Sequence, residues 1–288
     1  MVRIRRCWGY SIQSALPYGF MEERKDVHDV IAGIDAWIVY GGLAGQIQWL
    51  HEFLLGNLTF RSILAKVTSG VGDPLPIITQ VRIPFDYISL AGSDTTAISL
   101  RATFYYLLQN RETYESLRKE IGDATDKLSP TITYAESLQL VYLQACMKEA
   151  MRMHPGVAYP LERVVPAGGT KLCDKHIPAG TIVGINASVI HRDTNIFGAD
   201  TDEFRPERWL NKDVETIKSM DRYLLTFGTG TRSCIGENIS IVETGKLIPQ
   251  VIRDFDLEWA SEKPTWEVRT YWFAKQSGLL VRMKPRKR

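Results

Sequence analysis

The sequence predicts a mainly α-helical fold with small β-sheets toward the C-terminal end. Apolar residues recur at helical spacing over residues 83–110 and 138–153, and a further helix is expected from Gly236 to about Asp254. The segments between and after these helices hold only short runs typical of strands, such as residues 181–183 and 279–281. Long helices joined through such short strands favour a helical protein with a minor sheet component.

The N-terminal part shows a weaker pattern. Apolar spacing over residues 22–57 predicts two helices with a break near Gly41 and Gly42. Residues 58–80 are punctuated by glycine and proline, which favour turns. Residues 111–121 have the charge pattern of an exposed helix.

Composition narrows the class of protein. The chain of 288 residues is 44% hydrophobic and 24% charged, as expected of a globular protein with a real core. Lysine and arginine number 35 against 33 acidic residues, and the basic clusters stand at the two termini, so no nucleic-acid partner is predicted. The four cysteines form no CxxC pair and are interpreted as separate thiols of a reducing compartment. No signal peptide or transmembrane segment is expected; the least charged stretch, residues 31–50, fits an amphipathic helix better than a span.

The segment with the most specific chemistry is the run FGTGTRSCIG at residues 227–236. Cys234 precedes a predicted helix, whose unpaired N–H groups and dipole stabilise a thiolate. Gly228 and Gly230 allow the backbone to turn tightly around the sulfur, and Gly236 would let a flat ligand lie against the start of the helix. The alternative is a buried, inert cysteine beside a glycine turn, but the ten-residue pattern favours a ligand site.

Two other segments place polar groups on helices. Glu149 and Arg152 share one helix face at i,i+3 spacing, which is usually a surface ion pair of little value. The run AGSDTT at residues 91–96 interrupts the apolar helix at residues 83–110; a solvated kink and a helix end are the plain alternatives to a functional role. Three other polar residues are interpreted as structural, namely His154, His191 and Asp193.

These segments together resemble the cytochrome P-450 superfamily of haem-thiolate proteins. The run at residues 227–236 matches the haem-binding pattern Phe-x-x-Gly-x-Arg-x-Cys-x-Gly at every fixed position. The Glu-x-x-Arg pair, the Pro-Glu-Arg run at residues 206–208 and the acid–threonine run at residues 91–96 are similar to further motifs of that superfamily. Three more stretches resemble fungal pisatin demethylase-like members, which are microsomal enzymes of secondary metabolism and detoxification: residues 156–166, 177–183 and 189–193.

The resemblance implies a cofactor and a role for each motif. Cys234 would be the metal ligand, the axial thiolate of haem b, and Arg232 would bind a haem propionate. Arg163 would bind a propionate as well, with a surface arginine as the alternative. Asp94 and Thr95 would be catalytic, relaying protons to bound dioxygen. The other loop residues at the haem would be Phe227, Gly228, Gly230 and Gly236.

The same resemblance implies that Glu149, Arg152 and Arg208 form a buried structural triad behind the haem. The implied reaction is a monooxygenation, in which one oxygen atom from dioxygen enters a small lipophilic substrate by hydroxylation or O-demethylation. Electrons would come from NADPH through NADPH-cytochrome P-450 reductase. By resemblance, the enzyme would work at the cytoplasmic face of the endoplasmic reticulum membrane, although no anchor is expected in this chain.

The chain is shorter than a full-length member of this superfamily. We therefore expect residues 1–288 to form a single partial domain truncated at its N-terminus. Residues 1–80 match poorly or are abbreviated, whereas residues 81–288 run from the oxygen-binding helix through the haem-binding loop to the C-terminus. Two alternatives stay open: a truncated, non-catalytic fragment that does not bind haem, and a haem protein that rearranges peroxides without oxygenation. The Asp94–Thr95 pair counts against the second alternative.

Overall fold

The structure is a computed structural model, and it describes residues 84–210 and 212–286. The two helices predicted over residues 22–57 lie outside the described residues. The described chain divides into two compact units. One contains residues 84–97 and Thr270–Phe273, and the other contains Ile98–Arg269 and residues 274–286.

Helices dominate the described residues, as predicted. The longest are α1 and α8, and the remaining helices are short or of moderate length. Four single 3₁₀ turns lie among them, at Thr125–Lys127, Pro206–Trp209, Leu225–Phe227 and Gly230–Arg232. The α-helices are α1 (Pro84–Gln109), α2 (Arg111–Asp123), α3 (Tyr134–Ser137), α4 (Val141–Met153), α5 (Ala187–Ile190), α6 (Thr194–Phe197), α7 (Val214–Tyr223) and α8 (Glu237–Asp254).

The strands are short and form two-stranded sheets, which also agrees with the predicted fold class. Strand β1 pairs with β4, β2 with β3 and β5 with β8, all antiparallel, and β6 pairs with β7. Within the described part of the chain, no helix is long and apolar enough to cross a membrane. The strands are β1 (Leu161–Val164), β2 (Thr170–Leu172), β3 (Lys175–Ile177), β4 (Ile182–Ile185), β5 (Phe255–Trp259), β6 (Glu267–Thr270), β7 (Ala274–Ser277) and β8 (Val281–Pro285).

Three local predictions need correction. Helix α1 runs through the AGSDTT segment without the predicted interruption, because an apolar helix can carry a few polar side chains while its backbone hydrogen bonds remain complete. Helix α2 is not exposed all round, since it buries Tyr114, Leu117 and Ile121 on one face.

The third correction concerns the start of α4, which is Val141 rather than residue 138. The preceding helix, α3, is a separate turn closed by a capping box between Thr133 and Glu136. Helix α4 then starts afresh, because the Glu120 carboxylate accepts the backbone N–H groups of Tyr142 at 2.7 Å and Leu143 at 3.0 Å. The N–H groups in the first turn of a helix have no acceptor within that helix, and here a side chain from α2 supplies the acceptor.

The core of the larger unit lies between α2, α4 and α8. Helix α8 packs against α2, α3 and α4, and β5 continues directly from its C-terminal end. Burial of these apolar faces is the main stabilising contribution. The C-terminal end of α4 and the N-terminal end of α8, which both extend from this core, carry the candidate site. The buried core residues include Leu117, Ile121, Leu143, Cys146, Met147, Ile248 and Ile252.

Candidate functional site

The Cys234 loop, defined here as residues 227–236, connects a 3₁₀ turn to the start of α8. The loop doubles back, so that the Cys234 N–H donates to the Phe227 carbonyl at 2.8 Å. Gly236 stands at the N-cap position of α8. Cys234 therefore lies immediately before the helix, where unpaired backbone N–H groups and the helix dipole stabilise a negative charge.

The fold of this loop depends on glycine at two positions. Gly228 has a φ of +73° and a ψ of −162°, and Gly230 has a φ of +70°. An L side chain at either position would be strained. The predicted role of these two glycines in turning the loop is thus matched by their backbone conformation.

Phe227 at the start of the Cys234 loop is half-buried against the core, whereas the side chains of residues 229–235 face solvent. The Cys234 thiol is exposed, and the neighbouring Ile235 is 96% exposed. Across the part of the chain that the structure describes, Arg232 makes no ion pair. A second cation stands close by, because Arg163 on β1 donates from Nη2 to the Thr229 carbonyl of the loop at 3.3 Å. The structure therefore brings a thiol and two guanidinium-bearing residues to one edge of the larger unit.

The second group of predicted residues lies in the interior. Glu149 and Arg152 on α4 and Arg208 in a 3₁₀ turn are at most 1% exposed. Arg152 donates to both carboxylate oxygens of Glu149, from Nε at 3.0 Å and from Nη2 at 2.9 Å. Arg208 donates to the same carboxylate from Nε at 3.1 Å. Both arginines therefore bind the single buried carboxylate of Glu149 directly.

Sequence reasoning missed three further members of this group. The Trp209 indole Nε1 donates to Glu149 at 2.9 Å, and the Arg205 backbone N–H donates to it at 3.1 Å. Asp200 accepts from Arg208 at 2.7 Å. Trp209 adjoins Arg208 in the sequence and could have been suspected for that reason, whereas no periodic pattern marks Asp200.

The Glu149 cluster is defined as Glu149, Arg152, Asp200 and Arg208, whose charges sum to zero, and the exposed Arg205 guanidinium also pairs with Asp200 at 2.7 Å. Burial of Asp200 opposes its ionisation, but the Arg208 guanidinium outweighs that effect and lowers the pKa of the carboxyl. The guanidinium groups use their remaining N–H groups on backbone carbonyls of the loops that follow β4. Arg152 donates to the carbonyls of His191 at 2.9 Å and Thr201 at 2.7 Å. The cluster thus fixes a long irregular segment to the end of α4.

The predicted proton-relay residues lie in the smaller unit. Asp94 and Thr95 are both half-buried residues of α1, and Thr96 beside them is buried. They belong to the unit that contains residues 84–97, whereas the Cys234 loop and the Glu149 cluster belong to the other. Their predicted part in dioxygen chemistry stays a prediction.

The residues at the Cys234 loop fit the haem that the resemblance implies. A single exposed thiol is a suitable axial ligand for an iron already held by a macrocycle. Arg232 and Arg163 are suitable partners for the two carboxylates of such a group, because guanidinium groups bind carboxylates through charge-assisted hydrogen bonds. A Cβ built on Gly236 would lie 3.8 Å from the Cys234 sulfur. Glycine therefore keeps the space beside the sulfur open.

Comparison with known proteins agrees with this geometry. A family model described as cytochrome P-450 matches residues 78–284, well over half of the chain. The cytochrome P-450 monooxygenase cicH of Emericella nidulans is 46% identical over 93% of this chain and 61% of its own length. The cytochrome P-450 monooxygenase gsfF of Penicillium aethiopicum is 42% identical over 76% of this chain and 44% of its own length.

A third relative, the cytochrome P-450 monooxygenase ACRTS1 of Alternaria alternata, is 36% identical over 94% of this chain and 82% of its own length. The chain spans 61% and 44% of the length of the first two relatives. The match to the family model covers α1 through β8 almost completely, and with it both the Cys234 loop and the Glu149 cluster. On these grounds the chain belongs to the cytochrome P-450 family.

Proposed function

We propose that this chain carries the haem-binding and dioxygen-activating part of a monooxygenase. The observation that carries the proposal is the Cys234 loop, where an exposed thiol precedes α8 and two arginines stand beside it. When bound, haem b would supply the iron at which dioxygen is activated, and a thiolate ligand favours cleavage of the O–O bond. The protein would supply the ligand, the charges and the pocket.

Each residue of the loop has a distinct task in this proposal. Cys234 would bind the iron as a thiolate. Arg232 and Arg163 would hold the two propionates through charge-assisted hydrogen bonds. Gly228 and Gly230 shape the turn that aims the sulfur.

Asp94 and Thr95 are proposed as the residues that move protons. An acid and a hydroxyl on consecutive positions of one helix can pass a proton from solvent to a group bound at the haem. The substrate is proposed to be a small lipophilic molecule that undergoes hydroxylation or O-demethylation. NADPH would supply the electrons through NADPH-cytochrome P-450 reductase.

The cellular setting is proposed from the family resemblance and from the fungal source of the relatives. Those named above come from filamentous fungi, and their names describe monooxygenases. We propose an enzyme of fungal secondary metabolism that acts at the cytoplasmic face of the endoplasmic reticulum membrane.

A second candidate function follows from the length of the relatives. Because the chain spans 61% and 44% of the first two, it can be a fragment that does not bind haem by itself. The two candidates differ in a single property, which is whether residues 1–288 form a thiolate-ligated haem site.

The deciding experiment is haem reconstitution of residues 1–288, followed by the reduced carbon-monoxide difference spectrum. We expect a strongly red-shifted Soret band from thiolate-ligated iron, and loss of that band in Cys234→Ser. The control is Cys173→Ser, which removes another exposed thiol in the turn between β2 and β3 and should leave the band unchanged. Absence of haem uptake, or an unshifted band in the parent chain, would establish the fragment instead.

A further inference from the structure

His191 connects the Glu149 cluster to the Cys234 loop. It stands at the C-cap of α5, and its side chain is 0% exposed. Both ring nitrogens are used: Nδ1 lies 3.0 Å from the Arg152 carbonyl oxygen, and Nε2 lies 2.8 Å from the Leu225 backbone nitrogen. A buried histidine with two such partners occupies one defined orientation.

These partners determine which nitrogen carries the proton. The Leu225 N–H can only donate, so Nε2 must be the acceptor and must be unprotonated. Nδ1 then carries the proton and donates it to the Arg152 carbonyl. The burial of the ring, together with the nearby cations Arg152 and Arg192, lowers the pKa of His191 to about 4. The ring is therefore neutral, with a single tautomer, at neutral pH.

The contacts on either side extend this connection in both directions. Toward the cluster, Arg152 Nη1 donates to the backbone carbonyl of His191 at 2.9 Å, which makes the contact between the two residues reciprocal. Toward the loop, Leu225 begins the 3₁₀ turn Leu225–Phe227. The carbonyl of Phe227 in turn accepts the Cys234 N–H at 2.8 Å. The imidazole thus bonds the buried cluster to Leu225, the backbone of the turn leads from Leu225 to Phe227, and the Phe227 carbonyl bonds to the cysteine N–H.

We infer that His191 is a positioning residue for Cys234: its imidazole fixes the turn that enters the Cys234 loop to the end of α4. The effect on haem binding rests on the proposed function, because a displaced Cys234 would no longer reach the iron. The inference does not make His191 a catalytic residue, since the side chain acts through Leu225 and Phe227.

The chemistry of the side chain suggests a matched pair of variants. In His191→Gln the longer side chain places its amide oxygen near the former Nε2, so it can still accept the Leu225 N–H. In His191→Asn the shorter side chain reaches only as far as the former Nδ1, so it can donate to Arg152 but leaves Leu225 without a partner. His191→Asn is one methylene shorter than His191→Gln, so the two variants differ in the bond to the turn and also in a small loss of packing, which the same truncation at another buried histidine can gauge.

Amide hydrogen exchange of the haem-free chain tests the inference without requiring haem. In His191→Asn we expect residues 225–236 to exchange at least tenfold faster than in the parent, whereas His191→Gln should stay within about threefold. The control is His154→Asn, which removes the other buried histidine of the described residues, bonded through Nε2 to the Ala274 carbonyl at 2.9 Å. It should leave exchange at residues 225–236 unchanged.

The reduced carbon-monoxide spectrum of the same variants then separates the inference from the proposed function. A red-shifted band that survives in His191→Gln and falls at least fivefold in His191→Asn supports both. The exchange contrast without a red-shifted band in the parent would retain the positioning role and overturn haem-thiolate binding by this chain. Equal exchange in His191→Gln and His191→Asn, whether fast or slow, would overturn the positioning role.

Discussion

The Glu149 cluster and the Cys234 loop differ in how their polar groups are satisfied. In the cluster, the Glu149 carboxylate receives donors from two guanidinium groups, an indole and a backbone amide, and no water reaches it. In the loop, the Cys234 thiol and Arg232 face solvent. In the Glu149 cluster, groups of the chain itself bind the carboxylate. The Cys234 loop instead exposes groups that suit a bound ligand. We therefore propose that stability and ligand binding depend on separate, adjoining regions.

The cluster also differs from a surface ion pair of identical spacing. Glu149 and Arg152 stand at i,i+3 on α4, and Glu215 and Lys218 stand at i,i+3 on α7. Both side chains of the first pair are 0% exposed, whereas those of the second are 82% and 66% exposed. A buried charge that loses its partner has no water to replace it, so the two pairs should respond very differently to the same substitution.

The largest expected effect is that of Glu149→Ala. It leaves the guanidinium groups of Arg152 and Arg208 and the Trp209 N–H without their shared acceptor, which costs about 3–5 kcal/mol of unfolding free energy. Glu149→Gln keeps an acceptor oxygen but removes the charge, and its loss should be intermediate. Urea unfolding followed by far-UV circular dichroism measures these differences.

The matched control for this prediction is Glu215→Ala on α7. It removes the acid of an exposed i,i+3 pair, and we expect no measurable change in unfolding free energy. Similar losses in Glu149→Ala and Glu215→Ala would contradict the distinction between the two pairs.

Sequence alone could not separate these pairs, since their spacing is the same. The grouping of Arg208 with Glu149 and Arg152 came from resemblance, because 59 residues separate Glu149 from Arg208 and no periodicity links them. Asp200 could not be predicted, since it lies in an irregular segment whose course depends on the hydrogen bonds that the cluster itself makes. The long helices α1, α4 and α8 were predictable because their apolar spacing is local information.

The role of His191 could not be predicted from the sequence around it either. His191 was predicted to be structural, yet nothing in its neighbourhood indicates that its ring contacts both Arg152 and Leu225. These partners lie 39 and 34 residues away from it in the sequence. Such a role depends on tertiary proximity, and a lone histidine in a sequence carries no signal for it.

A smaller effect on the unfolding free energy is expected from a change of pH. It acts through His191, which lies between the Glu149 cluster and the Cys234 loop. The pKa of His191 is about 4 in the folded protein, against roughly 6.5 for an unfolded histidine. The unfolded chain therefore binds the proton first, so the folded state is fully favoured above pH 6.5 and loses stability as pH falls toward 4. We expect a loss of about 2 kcal/mol between pH 7.5 and pH 5, measured by urea unfolding.

The control for the pH prediction is His191→Gln, which should lose most of this pH dependence. A residual part should persist, because burial also lowers the pKa of His154. An equally steep decline in His191→Gln and the parent would show that the imidazole of His191 is already charged in the folded protein, or that other groups dominate the titration.

The smallest expected effect completes the comparison. Cys234→Ser replaces an exposed thiol by a hydroxyl of similar size, and the loop keeps its turns because they depend on Gly228, Gly230 and the Cys234 backbone N–H. We therefore expect the unfolding free energy of the haem-free chain to change by less than about 0.5 kcal/mol, as is usual for exposed positions. The same substitution should abolish the red-shifted carbon-monoxide band. An unchanged unfolding free energy together with loss of the band would show that Cys234 serves ligand binding and not the stability of the fold. A large loss of stability in the haem-free Cys234→Ser chain would instead place Cys234 with the Glu149 cluster, among the residues that hold the fold together.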